Sequence, residues 1–192
     1  MEGFVTVFIF YTSNSLASER HPGIPLHYRN IRVISPQHDP DEGWSEAEVL
    51  GAMLWLWERH PAYQGVALDT AMAHLLPVIR SRSFSLFVKD AQPYGYVNWC
   101  WLNEHEAQKY VNKEEPYTYF LDKQNNDKNQ QLWMLQVFFP EGLGHDARWI
   151  FRNLLFKESG FRFVYHRSKE VPRVITFTKI DSSLESQHKE PQ

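Results

Sequence analysis

The stretch from Gln131 to Gly160, QLWMLQVFFPEGLGHDARWIFRNLLFKESG, constrains the fold most, because it reads as a strand, a tight glycine loop and an amphipathic helix in succession. Gln131 to Phe139 is apolar and aromatic on both alternating faces, which suits a strand in the middle of a sheet. Pro140 stops that strand, and Glu141-Gly142-Leu143-Gly144 supplies two residues that tolerate positive φ. Trp149, Ile150, Asn153, Leu154 and Phe156 then continue at roughly helical spacing until Gly160. A glycine turn aimed at a helix N-terminus presents unpaired backbone N–H groups at the positive end of the dipole, a geometry that binds phosphate. The dipole contributes about 0.3 to 1 kcal/mol, so N–H contacts would have to supply the rest. Gly-x-Gly alone does not separate a phosphate cradle from a plain strand-to-helix turn.

At 192 residues the chain has room for one well-buried domain plus an extension. A formal net charge of -3 gives no bulk signal for nucleic acid or an anionic membrane. The charge is uneven, however: from Pro140 to Lys179 eight Lys/Arg stand against four Asp/Glu, a basic half that suits an acidic partner. The single cysteine, Cys100, excludes an intrachain disulfide and fits cytosolic usage; inside the apolar run Tyr96 to Leu102 it reads as a small buried hydrophobe, not a nucleophile. Phe4 to Tyr11, followed by Ser15-Leu16-Ala17, resembles a short export signal, but it lacks a basic start and carries Glu2, so it reads as a β-prone stub. No run is long enough to span a membrane, and no His and Cys spacing suggests a metal site.

Residues 1–44 read as a flexible N-terminal extension, broken by Pro22, Pro25, Pro36 and Pro40. The domain is expected over 45–180, opening on a capping box at Ser45-Glu46-Ala47-Glu48 and a helix that ends before Pro61. A second helix is expected from Ala67 to Arg80 with a kink near Pro77, then a hairpin of Phe84 to Lys89 with Tyr94 to Leu102. Asn103 caps a short helix, and Asn112 to Gln130 is a polar loop. Phe161 to His166 and Arg173 to Thr178 form a closing hairpin, and 181–192 is a disordered tail. This order predicts a single mixed, largely antiparallel sheet with flanking helices, an α/β domain like the N-acetyltransferase (GNAT) fold.

Several marks resemble the RTX-toxin-activating lysine acyltransferases, HlyC-like enzymes that transfer a fatty acyl chain from acyl carrier protein to protoxin lysines. They are Trp55-Leu56-Trp57 followed by Pro61; Leu75-Leu76-Pro77-Val78-Ile79; Asp90 and Pro93 leading to Tyr96 and Trp99; and Trp133 leading to Pro140 and Gly142. The resemblance covers about Val49 to Lys179. It implies a cytoplasmic enzyme, an acyl-phosphopantetheine co-substrate and no permanently bound cofactor. Its partners would be acyl carrier protein and an RTX-type protoxin, with a homodimer left open. Gly142, Leu143, Gly144, His145 and Arg148 would then meet the phosphopantetheine, and Arg148, Arg152, Arg162 and Arg167 either face the acidic carrier or form an ordinary solvated surface.

The chain departs from the family pattern where it matters most. The family's catalytic histidine position falls on Tyr63, and its catalytic aspartate position on Gln136. Tyrosine has a reference pKa near 10 and glutamine does not titrate, so neither readily removes a proton from a lysine ammonium. Three readings follow: a displaced base at His60, one helical turn before Tyr63; weak catalysis without a dedicated base; or a fold retained only to bind protoxin or carrier. Of the other imidazoles, His74 reads as a satisfied, partly buried core group, and His145 and Asp146 as residues near the helix cap.

Overall fold

Local signals set most of the element ends. Ser45 accepts a hydrogen bond from the Glu48 backbone N–H and opens α1 (Glu46–Glu58), which stops ahead of Pro61. Among the described residues the Glu48 side chain makes no reciprocal bond to the Ser45 backbone, so the expected capping box is half formed. α2 (Leu68–Ser81) carries Pro77 inside it and ends on Arg82 at φ 59. A turn through Asp90 and Ala91, both at positive φ, joins β3 (Phe84–Lys89) to β4 (Gln92–Leu102). Asn103 and Glu106 close a full capping box on α3 (Glu104–Asn112). β5 (Gln131–Phe138) then leads through the glycine loop to α4 (His145–Ile150), and β6 (Phe161–Tyr165) and β7 (Arg173–Phe177) close the chain. The computed structural model describes residues 26–123, 127–165 and 173–178; the Phe4 to Tyr11 stub, His166, Arg167 and the 181–192 tail lie outside them.

Two short strands precede α1: β1 (His27–Tyr28) and β2 (Ile31–Ile34). With them the sheet has, among the described residues, seven strands in sequence order, antiparallel throughout except for the parallel pair β5 and β6. This mixed, largely antiparallel sheet flanked by helices is a GNAT-like α/β architecture. One face, with Leu86, Tyr96 and Phe138, packs under α1 and α2 through Val49, Met53, Leu56, Leu75 and Val78. The other, with Phe87, Val97, Trp99 and Met134, packs against Ala147, Ile150 and Phe151 of the α4 segment.

Of the extension expected over 1–44, residues 26–44 are described, and within them His27–Tyr28 and Ile31–Ile34 are strands of this sheet, not a loose arm. Ile31, Val33 and Ile34 are at most 1% exposed, and β2 pairs with β3 along its length. Tyr28 stacks on Trp149 at 4.0 Å, and Arg29 bonds Asp146 at 2.9 Å, so the segment also grips α4. The helix after the glycine loop is a second difference. Regular α geometry stops at Ile150, and a π-turn (Phe151–Leu155) continues it, where the Asn153 side chain takes the Trp149 carbonyl at 2.8 Å and Phe156 N–H reaches back to Phe151.

Candidate functional site

The site is organised by an irregularity in β5. Asn98 pairs with Gln136 but its neighbour Trp99 pairs with Met134, which leaves Leu135 as an extra residue in the ladder. Strict alternation would send Gln136 to the α4 face along with Leu132 and Met134. The bulge instead returns Gln136 and Phe138 to the face covered by α1 and α2. Tyr110 fixes it by donating its hydroxyl proton to the Leu135 carbonyl at 3.2 Å.

On that face a polar cluster is set among aromatic rings. The buried Trp57 indole N–H donates to the Tyr96 hydroxyl at 2.9 Å, and Gln136 lies near enough to Tyr96 to offset slightly the effect of burial on that hydroxyl. The Tyr117 hydroxyl donates to Gln136 Oε1 at 3.4 Å and accepts from the Asn98 amide. Asn98 is fully buried, and its Oδ1 has no hydrogen-bond partner among the described residues. Burial raises the pKa of both Tyr96 and Tyr117, so these hydroxyls stay protonated and act as neutral hydrogen-bonding groups. Tyr63 lies against Trp57 at 4.5 Å and edge-on to Phe138 at 5.2 Å between ring centroids, with the His60 ring 5.4 Å from Phe138.

The opposite face holds a cavity. Among the described residues β5 and β6 pair only through Trp133 with Arg162 and Met134 with Phe163. Beside this opening lies a cavity of about 630 Å³ bounded by Met134, Val137, Trp149, Phe161, Phe163 and Phe177. Arg148, Arg152, His145 and Leu143 also border it. The two arginines are one helical turn apart and exposed, so the site joins an apolar interior to a cationic rim.

The glycine loop lies beside this cavity. Gly142 adopts φ +88, a conformation L side chains rarely take, and Gly144 is the N-cap of α4. The Tyr94 hydroxyl accepts from the Gly144 N–H at 3.1 Å and donates to the Gly142 carbonyl at 3.3 Å. A side chain of this protein thus already occupies one donor that the sequence reading assigns to a phosphate.

A model of the RTX toxin acyltransferase family (HlyC) matches residues 42–178, the region that contains both the cluster and the cavity. The chain belongs to that family. It is 26% identical over 121 residues to the RTX-II toxin-activating lysine-acyltransferase ApxIIC of Actinobacillus pleuropneumoniae, covering 63% of this chain and 68% of that protein. With the protein-lysine myristoyltransferase RtxC of Kingella kingae it shares 28% identity over 112 residues, 56% of this chain and 65% of the relative. A protein-lysine myristoyltransferase HlyC of Escherichia coli is 32% identical over 65 residues, 34% of this chain and 38% of its own length. The chain therefore spans between about two fifths and two thirds of these curated relatives.

For this RTX toxin acyltransferase family member, the sequence-derived site residues fall into two groups on opposite faces of the sheet. Tyr63, His60 and Gln136 gather around Trp57, Tyr96 and Phe138 on the α1 and α2 face. Leu143, His145 and Arg148 border the cavity, with Gly142 and Gly144 in the adjoining loop. His60 is not free to act through both nitrogens, since its Nδ1 accepts the Ala62 backbone N–H at 3.2 Å. Sequence reading gave no role to Asn98, Tyr117, Tyr94 or the Leu135 bulge. Tyr96 and Trp57 carried the resemblance, but nothing in their spacing showed that they hydrogen-bond each other. Cys100 is buried, and burial raises its thiol pKa, so it remains a neutral thiol. No described helix is long and apolar enough to cross a membrane.

Proposed function

We propose that this chain is a protein-lysine fatty acyltransferase that acts on an RTX-type protoxin, with acyl-acyl carrier protein as donor. The observation that carries the reading is the apolar cavity of about 630 Å³ at the divergence of β5 and β6, rimmed by Arg148 and Arg152. A fatty acyl chain on a phosphopantetheine arm has the same two-part character, an apolar chain followed by an anionic phosphate. Arg148 and Arg152, with the adjoining loop residues Gly142 to His145, are the groups that would meet the phosphate, and their charge would attract an acidic carrier. Such a carrier places the reaction in the cytoplasm.

The acceptor lysine would approach from the other face, where Tyr63 and Gln136 occupy the positions the family resemblance assigns to its catalytic pair. Its neutral amine attacks the thioester carbonyl carbon, the C–N bond forms, and the C–S bond breaks to release the pantetheine thiol. Gln136, held by Tyr117, and the Tyr63 hydroxyl can position the reacting groups by hydrogen bonds without titrating. General acid–base help is worth about 10² to 10⁴-fold, whereas holding the reactants together can supply roughly 7 to 11 kcal/mol. Loss of a dedicated pair at these two positions therefore does not by itself abolish transfer. The same two residues favour a second reading, a non-catalytic module that binds carrier or protoxin.

The test mixes purified protein with long-chain acyl-acyl carrier protein and a protoxin fragment, and reads lysine acylation by peptide mass spectrometry. Transfer that is lost in Val137→Trp, which fills the cavity, supports the enzyme. Retained carrier binding with no transfer, under conditions in which a family member bearing histidine and aspartate works, would instead establish the binding module.

A further inference from the structure

The RTX toxin acyltransferase reading leaves one chemical requirement unmet, because a lysine is charged near neutral pH and must lose a proton before it attacks. We propose that the His74 imidazole, on α2, accepts that proton in this chain. The inference rests on the acyltransferase reading and extends it.

His74 reaches the polar cluster through two ring contacts. It stacks on Tyr117 with centroids 5.0 Å apart and planes 3° from parallel, and it lies 5.5 Å from Trp57. Those two rings carry the polar atoms that hold Tyr96 and Gln136. His74 is half-buried, and among the described residues neither of its ring nitrogens makes a hydrogen bond. Among the described residues, three other imidazoles, those of His60, His38 and His145, are committed or placed elsewhere. His60 Nδ1 accepts the Ala62 N–H, so its neutral form carries the proton on Nε2 and has no basic nitrogen left. His38 spends one nitrogen on Ser35 and the other on the Leu155 carbonyl. His145 lies on the cavity rim, across the sheet from the cluster, with its side chain 84% exposed.

The surroundings keep the His74 imidazole in its neutral form, the form that has a nitrogen lone pair to offer. Burial lowers its pKa, and no charged group contributes to that shift. The groups that face it are Trp57 from α1 and Tyr117 from the 3-10 turn at Tyr117–Phe120, and the Tyr117 hydroxyl stays protonated. Asn98 Oδ1, buried and unpartnered in the same cluster, is an acceptor that a lysine N–H would satisfy. The imidazole takes a first proton from the lysine Nζ and passes it to solvent, the free amine attacks the thioester carbonyl carbon, and the imidazole then carries the second Nζ proton to the departing pantetheine sulfur as the C–S bond breaks.

His74→Phe keeps a ring against Tyr117 and Trp57 and removes the base. Transfer from acyl-acyl carrier protein would be measured to a protoxin lysine and to hydroxylamine, whose nitrogen is already neutral at pH 7. The expected result is a fall of about 10² to 10⁴-fold with lysine and under about tenfold with hydroxylamine, together with rescue of His74→Ala by added imidazole. In the parent, the rate should rise with pH through a group titrating below its ordinary value of 6.5, and that limb should vanish in His74→Phe. Equal losses with both acceptors would show a purely structural role and overturn the proposal. His74→Gln, with thermal unfolding measured alongside, separates loss of the base from loss of the fold. Unchanged transfer in a folded His74→Phe refutes this inference alone, whereas a parent protein that transfers nothing refutes it together with the acyltransferase reading.

Discussion

Tyr94→Phe isolates the clasp that sets the glycine loop. The substitution deletes only a hydroxyl: the ring keeps its edge contact with Phe139 at 5.2 Å and its place under Lys89 Nζ at 5.4 Å. It removes two hydrogen bonds, from the Gly144 N–H at 3.1 Å, at the long end of the normal range, and to the Gly142 carbonyl at 3.3 Å, a weak contact beyond it. An intramolecular bond contributes about 0.5 to 1.5 kcal/mol net, and water can reach a half-exposed loop to replace part of each, so the low end applies and the pair is worth about 1 kcal/mol. For a domain of this size that corresponds to roughly 2 to 4 °C in Tm. Locally, about 1 kcal/mol means a roughly fivefold loss of protection at the Gly144 amide. Urea unfolding gives the first quantity and hydrogen exchange the second. A variant with unchanged stability and unchanged Gly144 exchange would refute the clasp. Binding of 4′-phosphopantetheine by the same variant also tests the anion cradle, since the freed Gly144 donor should tighten it if the loop N–H groups hold the phosphate.

Three further outcomes follow from the fold. A chain that starts at Ser45 loses Ile31, Val33 and Ile34 from the two core faces; large-to-small changes at such sites cost about 2 to 5 kcal/mol each, so circular dichroism should find it unfolded or aggregated. A Cβ at Gly95 would sit 2.2 Å from Phe139 Cδ1 and 2.5 Å from its Cγ, so Gly95→Ala should destabilise by about 1 to 3 kcal/mol in urea, and a neutral result would mean the ring is free to move. Burial holds the His38 pKa below 6.5, the largest effect there, against a smaller opposing one from the Leu155 carbonyl. The unfolded state therefore binds the proton first, so the contribution of His38 is fully present above pH 6.5 and declines as pH falls through the lower folded pKa. His38→Gln should flatten the acid side of the stability profile; an unaltered profile would show that this histidine does not titrate differently on folding.

Much of the architecture was legible because its causes are local. The caps at Ser45 and Asn103, the stop before Pro61 and the hairpin turn at Asp90-Ala91 lie in a few adjacent residues, and the structure places elements at those signals. The strand, glycine loop and helix from Gln131 onward was readable for the same reason, although the helix turns to π geometry where Asn153 takes a backbone carbonyl. The prolines of the N-terminal segment misled: they break helices, but Ile31 to Ile34 needs only four residues to complete a sheet whose edge comes from β3.

The sequence by itself determined the order of the main helices and strands from Ser45 onward, the buried central strand and the basic C-terminal half, because each depends on side chains a few positions apart. Only the tertiary structure decided that Leu135 is surplus to the ladder, which turns Gln136 toward Tyr96 and Tyr117. It also decided that Tyr94, 50 residues from Gly144, takes that glycine's N–H, and that His74 meets Tyr117. Those contacts join residues far apart in the chain, and their geometry exists only once the sheet is paired and its two faces are packed.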